Sequence, residues 1–122
     1  MEHLYVIGID YGTDSVRALL ADAESGEEIA VAVCNYSRWG RGLYCDTAKS
    51  QFRQHPLDYL EGLEQVLRQV IAQCPAPEAI RAIAVDTTAS TPCLVDRTCT
   101  PLSLTAGYEE NPDAMFVLWK DH

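Results

Sequence analysis

Apolar and polar positions divide the chain into short alternating runs, and the first two are the most regular. Leu4 to Ile9 is apolar, reaches the acid Asp10, turns around Gly12 and resumes as Val16 to Leu20. Leu4, Val6, Gly8 and Asp10 alternate with Tyr5, Ile7 and Ile9. Both sets are largely apolar, which predicts a strand buried on both faces. Few residues separate the two runs, so they predict a tight hairpin in which Gly12 supplies positive φ and close backbone approach. Glu24 to Glu27 reads as a second turn and Ile29 to Val33 as a third strand, giving an antiparallel meander. Asn35 to Arg53, with Trp39, Gly40, Gly42 and Tyr44, has no clear period. It reads as an irregular surface excursion anchored by its tryptophan.

Pro56 then opens a helix, where its missing N–H costs nothing. Leu60, Leu63, Leu67, Val70, Ile71 and Cys74 recur at helical spacing opposite Glu61, Glu64, Arg68 and Gln69, until Pro75 and Pro77 end the pattern. Ala79 to Val85 predicts a fourth strand, which a crossover from the helix would set parallel to the first. It runs into Asp86 and the small residues Thr87, Thr88, Ala89, Ser90 and Thr91. Short strands at Cys93 to Asp96 and Leu102 to Leu104, a loop from Thr105 to Ala114 and a last strand at Met115 to Trp119 lead to Lys120, Asp121 and His122.

A chain of 122 residues with 48% hydrophobic and 22% charged positions is long enough for one domain with a real core. No apolar run reaches membrane-span length, and the acid Glu2 with His3 at the N-terminus is unlike a signal peptide. A cytoplasmic protein with no membrane partner is expected. Five cysteines without a CxxC pair predict free, mostly buried thiols rather than a disulfide framework or zinc site. The net charge of −9 opposes binding to a phosphodiester backbone. The one candidate basic patch is the sparse set Arg38, Arg41, Lys49 and Arg53, so nucleic acid is not expected as a partner.

Two acids at strand ends carry the candidate chemistry. Asp10 faces a turn with Gly12, Thr13 and Ser15, and Arg17 adds a cation nearby. A carboxylate beside N–H groups and small hydroxyls is what a Mg²⁺–phosphate site requires. Asp86 repeats the arrangement, and if the two strands are neighbours both acids open onto one crevice. Each acid is equally compatible with an ordinary role capping its turn.

Four stretches together resemble the FGGY carbohydrate kinases of the sugar kinase, Hsp70 and actin superfamily. They are Asp10 to Leu19 (DYGTDSVRAL), Phe52 to Glu61 (FRQHPLDYLE), Val85 to Pro92 (VDTTASTP) and Glu110 to His122 (ENPDAMFVLWKDH). The likeness is greatest to the pentulose-phosphorylating members. It implies an α/β, ribonuclease H-like domain of which residues 1–122 are the N-terminal part: a three-strand meander, a helix, then further strands. It implies ATP and Mg²⁺ as cofactors and a small sugar as substrate. Asp10 would support the metal, while Gly12, Thr13, Asp14, Ser15 and Arg17 would surround the nucleotide phosphates. Asp14 replaces the small hydroxyl residue of many family members, a trait of the pentulose group. Ala89, Ser90, Lys120 and Asp121 would lie on the substrate side, and the small Ala89 and Ser90 imply a pocket unsuited to glycerol. The family's catalytic Asp, adenosine pocket and second domain are expected beyond His122, so these residues alone are expected to be inactive. Assembly into a homo-oligomer is left open.

The DYGT string also resembles the first motif of small ribonuclease H-like resolvases, in which Asp10 and Asp86 could be two ligands of a two-metal centre. Net charge, the missing basic face and the last two matched stretches weigh against a nuclease. A non-catalytic nucleotide-binding module of the same fold is the third alternative.

Overall fold

A computed structural model describes residues 3–122. Met1 and Glu2, the latter part of the N-terminal acid reading, lie outside the described residues. The elements run β1 (Tyr5–Tyr11), β2 (Ser15–Asp22), β3 (Glu28–Asn35), α1 (Ser37–Gly40), β4 (Cys45–Asp46), β5 (Gln51–Gln54), α2 (Pro56–Ala72), β6 (Ile80–Thr87) and β7 (Phe116–Val117). The chain packs as two compact units. One joins the segment ending at Asn35 with Glu61–Thr87, and the other joins Tyr36–Leu60 with Thr88–His122.

The first unit is a four-stranded sheet in the order β3-β2-β1-β6. β1, β2 and β3 form the expected antiparallel meander, and β6 returns parallel to β1. Asp22 closes the β2–β3 turn, its Oδ1 accepting the N–H groups of Glu24 (2.9 Å) and Ser25 (3.1 Å). These backbone bonds hold the Asp22 carboxyl below its ordinary pKa. Gly26 follows at φ 76°, a conformation that favours glycine. Tyr5, Ile7 and Ile9 on β1, with Val16, Ala18 and Leu20 on β2, form the buried face. The part of α2 in this unit covers it with Val66 and Val70.

Several local expectations are corrected. β1 is not buried on both faces: Val6, Gly8 and Asp10 remain partly exposed, because α2 covers only one side of the sheet. Gly12 does not take positive φ. Its N–H donates to the Ser15 carbonyl at 2.8 Å, and a Cβ there would lie 3.2 Å from that oxygen, so the turn needs glycine for space. The buried stripe of α2 runs through Gly62, Val66 and Val70, whereas Leu60 and Ile71 are exposed. The helix ends at Ala72, just short of the expected Cys74. Strand β6 continues through Asp86 to Thr87, and only one of the five cysteines, Cys74, is buried.

The second unit contains a small sheet ordered β4-β5-β7. The stretch from Asn35 to Arg53 is therefore not irregular: it carries α1, β4, a 3₁₀ turn at Thr47–Lys49 and most of β5. Cys93 to Asp96 contributes only a bridge between Val95 and Pro101, and Leu102–Leu104 is a 3₁₀ turn, whose Leu102 N–H donates to the Leu94 carbonyl at 3.1 Å while the Leu104 N–H donates locally to the Pro101 carbonyl at 2.9 Å. The expected last strand shrinks to Phe116–Val117, paired with Gln54 and Arg53 of β5. Tyr59 stacks on Tyr36 (ring centroids 5.3 Å apart) and on Phe116 (4.6 Å). His55 caps the start of α2: its Nδ1 accepts the Leu57 N–H at 3.0 Å, and its Nε2 lies 2.8 Å from the Glu109 carbonyl. Those partners assign the tautomer with the proton on Nε2.

Gly62 provides a test of the packing. A Cβ there would lie 2.7 Å from Val16 Cγ1, inside a fully buried contact. Ala favours a helix interior over Gly by about 1 kcal/mol, yet overpacking should prevail. Gly62→Ala is expected to lower stability by about 1–3 kcal/mol in urea unfolding, and adding Val16→Ala should recover part of the loss.

Candidate functional site

β1 is the middle of three strands that bring charged groups together in the first unit. In its antiparallel pairing Asp10 lies opposite Arg17 on β2, and in its parallel pairing opposite Asp86 on β6. Alternation along each strand then puts these residues on the sheet face that α2 leaves uncovered. Arg17 Nη2 donates to Asp10 Oδ2 at 3.1 Å, and both side chains keep about half of their surface in solvent. Asp86 Oδ1 accepts the N–H of the next residue, Thr87, at 3.0 Å, a bond made inside β6.

The three charged residues line a cleft of about 460 Å³. Its floor includes Gly8, Leu19 and Ala84, and the small side chains on β1 and β6 keep it open above the sheet. The hairpin residues Thr13 and Ser15 are half-buried beside it in sequence, and Asp14 is exposed. Among the described residues no group of three or more His, Cys, Asp or Glu side chains could hold a metal. The pair Asp10 and Asp86 nevertheless fits Mg²⁺, which keeps most of its water and takes one or two carboxylates together with phosphate oxygens.

The remaining predicted residues belong to the second unit. Ala89 is exposed, and Ser90 has φ 55°, a left-handed conformation that costs an ordinary residue about 1 kcal/mol or more. Thr91 Oγ1 donates to the Ala89 carbonyl at 3.2 Å and contacts Thr88 Oγ1, which ties this turn together. Asp121 is mostly buried, its Oδ2 accepting the Phe52 N–H at 2.8 Å and Arg53 Nε at 2.7 Å. Lys120 Nζ lies 4.7 Å from the Phe52 ring centroid and 5.4 Å from that of Trp39.

Sequence reading gave Arg53 and Asp58 no chemistry of their own. Arg53 Nη1 also donates to the Pro112 carbonyl (2.8 Å) and to Asp113 Oδ1 (3.0 Å). Asp58 is fully buried, and its carboxylate accepts from Arg38 Nη1 (2.9 Å), from Ser37 Oγ (3.4 Å) and from the N–H groups of Arg38 (3.3 Å) and Trp39 (3.2 Å). Two members of the candidate basic patch, Arg38 and Arg53, are thus consumed by internal ion pairs. The available signal was an acid in the first turn of a helix behind a proline, but such a residue more often serves only the helix dipole.

No protein-family model matches the chain. Curated relatives do: a ribulokinase of Vibrio parahaemolyticus is 51% identical over 120 residues, covering 97% of this chain and 21% of the relative. The chain is similar to about one fifth of a ribulokinase. A ribulokinase of Halalkalibacterium halodurans is 37% identical, with 97% of this chain and 22% of that one covered. Among solved structures, a gluconate kinase from Lactobacillus acidophilus superposes with a TM-score of 0.72 over 98% of this chain and 20% of its own, at 16% identity. The α/β, ribonuclease H-like fold of the sugar kinases, with its opening meander and crossover helix, is therefore borne out.

The mostly buried pair Asp121 and Arg53 invites a pH test. The bond from Arg53 holds the Asp121 carboxyl below the ordinary value despite partial burial. A depressed carboxyl contributes stability that is present above its unfolded pKa of about 3.9 and is lost as pH falls through the folded value. Asp121→Asn is expected to cost about 1–2 kcal/mol at pH 7. The difference in melting temperature from wild type should shrink as the pH is lowered into the acid range below about 4.

Proposed function

We propose that this chain is part of an ATP-dependent ribulokinase, which transfers the γ-phosphoryl group of ATP to L-ribulose to give L-ribulose 5-phosphate in L-arabinose catabolism. The observation that carries the reading is the 51% identity to a ribulokinase across 97% of the chain. The cleft supports it with chemistry suited to phosphoryl transfer, two strand-end carboxylates and an arginine. The chain spans about one fifth of the length of the curated relatives it matches. The activity proposed is that of the whole protein, with residues 1–122 as the N-terminal part of its first domain.

In this reading Asp10 holds Mg²⁺, directly or through water, and Asp86 offers a second oxygen donor on the adjacent strand. Mg²⁺ and ATP, when bound, supply the transferable phosphoryl group and neutralise its developing charge. Gly12, Thr13, Asp14, Ser15 and Arg17 form the phosphate hairpin, with backbone N–H groups and hydroxyls as donors. Arg17, seated on Asp10 without phosphate, can exchange that partner for a phosphate oxygen, since its side chain is mostly exposed. Ala89, Ser90, Lys120 and Asp121 are assigned to the sugar. The proton of the attacking sugar hydroxyl requires a base. Asp86 and Asp121 are not assigned that role, because the one is assigned to Mg²⁺ and the other is held by Arg53. A cytoplasmic location agrees with the use of ATP. Among the described residues no helix is long and apolar enough to cross a membrane.

The full-length protein is expected to release ADP from MgATP in the presence of L-ribulose, measured by a coupled assay. Asp10→Asn should lower kcat/KM by about 100-fold or more while the protein stays folded. Residues 1–122 alone should give no ADP above blank. Full-length protein inert toward L-ribulose, or steady turnover by residues 1–122, would overturn the respective statements.

A further inference from the structure

The Lys120 ammonium forms no hydrogen bond and no ion pair among the described residues. Its contacts there are two aromatic faces, Phe52 at 4.7 Å and Trp39 at 5.4 Å from the ring centroids. Rings attract a cation through their quadrupoles but accept few of its hydrogen bonds. A lysine placed in this way has its three N–H donors available to oxygen atoms of a ligand.

Each ring is held by a different buried or nearly buried charge. On one side Arg53, only 13% exposed, binds Asp121, whose Oδ2 also takes the Phe52 N–H. This connects the backbone that carries the Phe52 ring to the residue following Lys120. Arg53 is itself fixed by Pro112 and Asp113. On the other side Asp58, with no exposed side-chain surface, takes the Trp39 N–H and is closed by Arg38. Arg53 and Asp58 lie on the same short stretch, one in β5 and the other in the first turn of α2. Asp121 Oδ2 is occupied by two donors, the Phe52 N–H and Arg53 Nε, which anchors the backbone next to Lys120.

We propose that Arg53 and Asp58 are positioning residues, which fix the two rings and Asp121 so that the Lys120 ammonium is presented to the oxygen atoms of the sugar substrate. This rests on the reading of the chain as part of a ribulokinase with Lys120 on its sugar side. Positioning predicts that Arg53 and Asp58 act through Lys120, which a double-mutant cycle measures directly.

The test is steady-state kinetics of the full-length enzyme with L-ribulose and MgATP, on Lys120→Met, Arg53→Gln, Asp58→Asn, and each of the last two combined with Lys120→Met. Each single change is expected to raise KM for L-ribulose by about tenfold, with KM for MgATP nearly unchanged. The double variants should bind L-ribulose no worse than Lys120→Met alone. Arg53→Lys, which keeps the charge and can still reach Asp121, should recover part of the loss and serves in place of Arg53→Gln if that variant does not fold. Equal factors from Arg53→Gln and Asp58→Asn with and without Lys120 would show a merely structural role and overturn the proposal. So would an unchanged KM in Lys120→Met. Wild-type enzyme that ignores L-ribulose but phosphorylates another sugar would refute the substrate reading alone, and the same cycle on that sugar would still decide the positioning.

Discussion

Strand β1 keeps register with two partners of opposite direction, antiparallel β2 and parallel β6, and the chemistry of the first unit depends on both registers at once. Side chains alternate with a period of two, so a slip of one residue on either side would turn Asp10 away from Arg17 or from Asp86. The apolar face opposes such a slip. Ile7 and Ile9 are buried with Ala18 and Leu20, and Gly62 lets α2 approach Val16 closely. A hydrophobic constraint on one face of the sheet thus fixes the spacing of charges on the other.

The second unit relies on different forces. Its buried set includes Gln54, His55 and Asp58 beside Tyr36, Met115 and Leu118. Polar groups at such depth are tolerable only when their hydrogen bonds are made. Asp58 accepts from four donor groups, and His55 uses both ring nitrogens. Removing one partner would leave a buried charge or dipole without compensation, which costs far more than the bond contributes in net terms. The reward is directional: hydrogen bonds fix the orientation of a loop such as Ser37–Trp39, which apolar packing alone would leave loosely defined.

What could be read from the sequence follows this division. The meander, the crossover helix and the parallel return of β6 were legible because period and proline punctuation encode local structure and topology restricts the rest. The juxtaposition of Asp10 with Asp86 followed from that topology once both acids were seen at strand ends. The elements between Asn35 and Arg53 were not legible. Strands as short as Cys45–Asp46 and Phe116–Val117 carry no periodic signal, and their pairing joins residues far apart in sequence. Arg53 and Asp58 were hidden for the same reason, since a charged residue in an amphipathic stretch reads as surface until its partner's location is known. Trp119, expected at the end of the last strand, lies outside it and is exposed.

The outer strand of the larger sheet has a colloidal consequence. β6 is eight residues long, exposed along nearly its whole length, and carries Ile83 and Val85 with more than half of their surface in water. Unpaired strand edges invite a second chain to add to them. Two copies brought together this way would each bring a net charge of −9, so long-range repulsion stands between the open edge and precipitation. That repulsion extends only about a Debye length, roughly 10 Å at 0.1 M salt and 3 Å at 1 M. Dilute buffer therefore protects the isolated chain, whereas the salt commonly added to suppress aggregation would remove its main kinetic barrier to self-association.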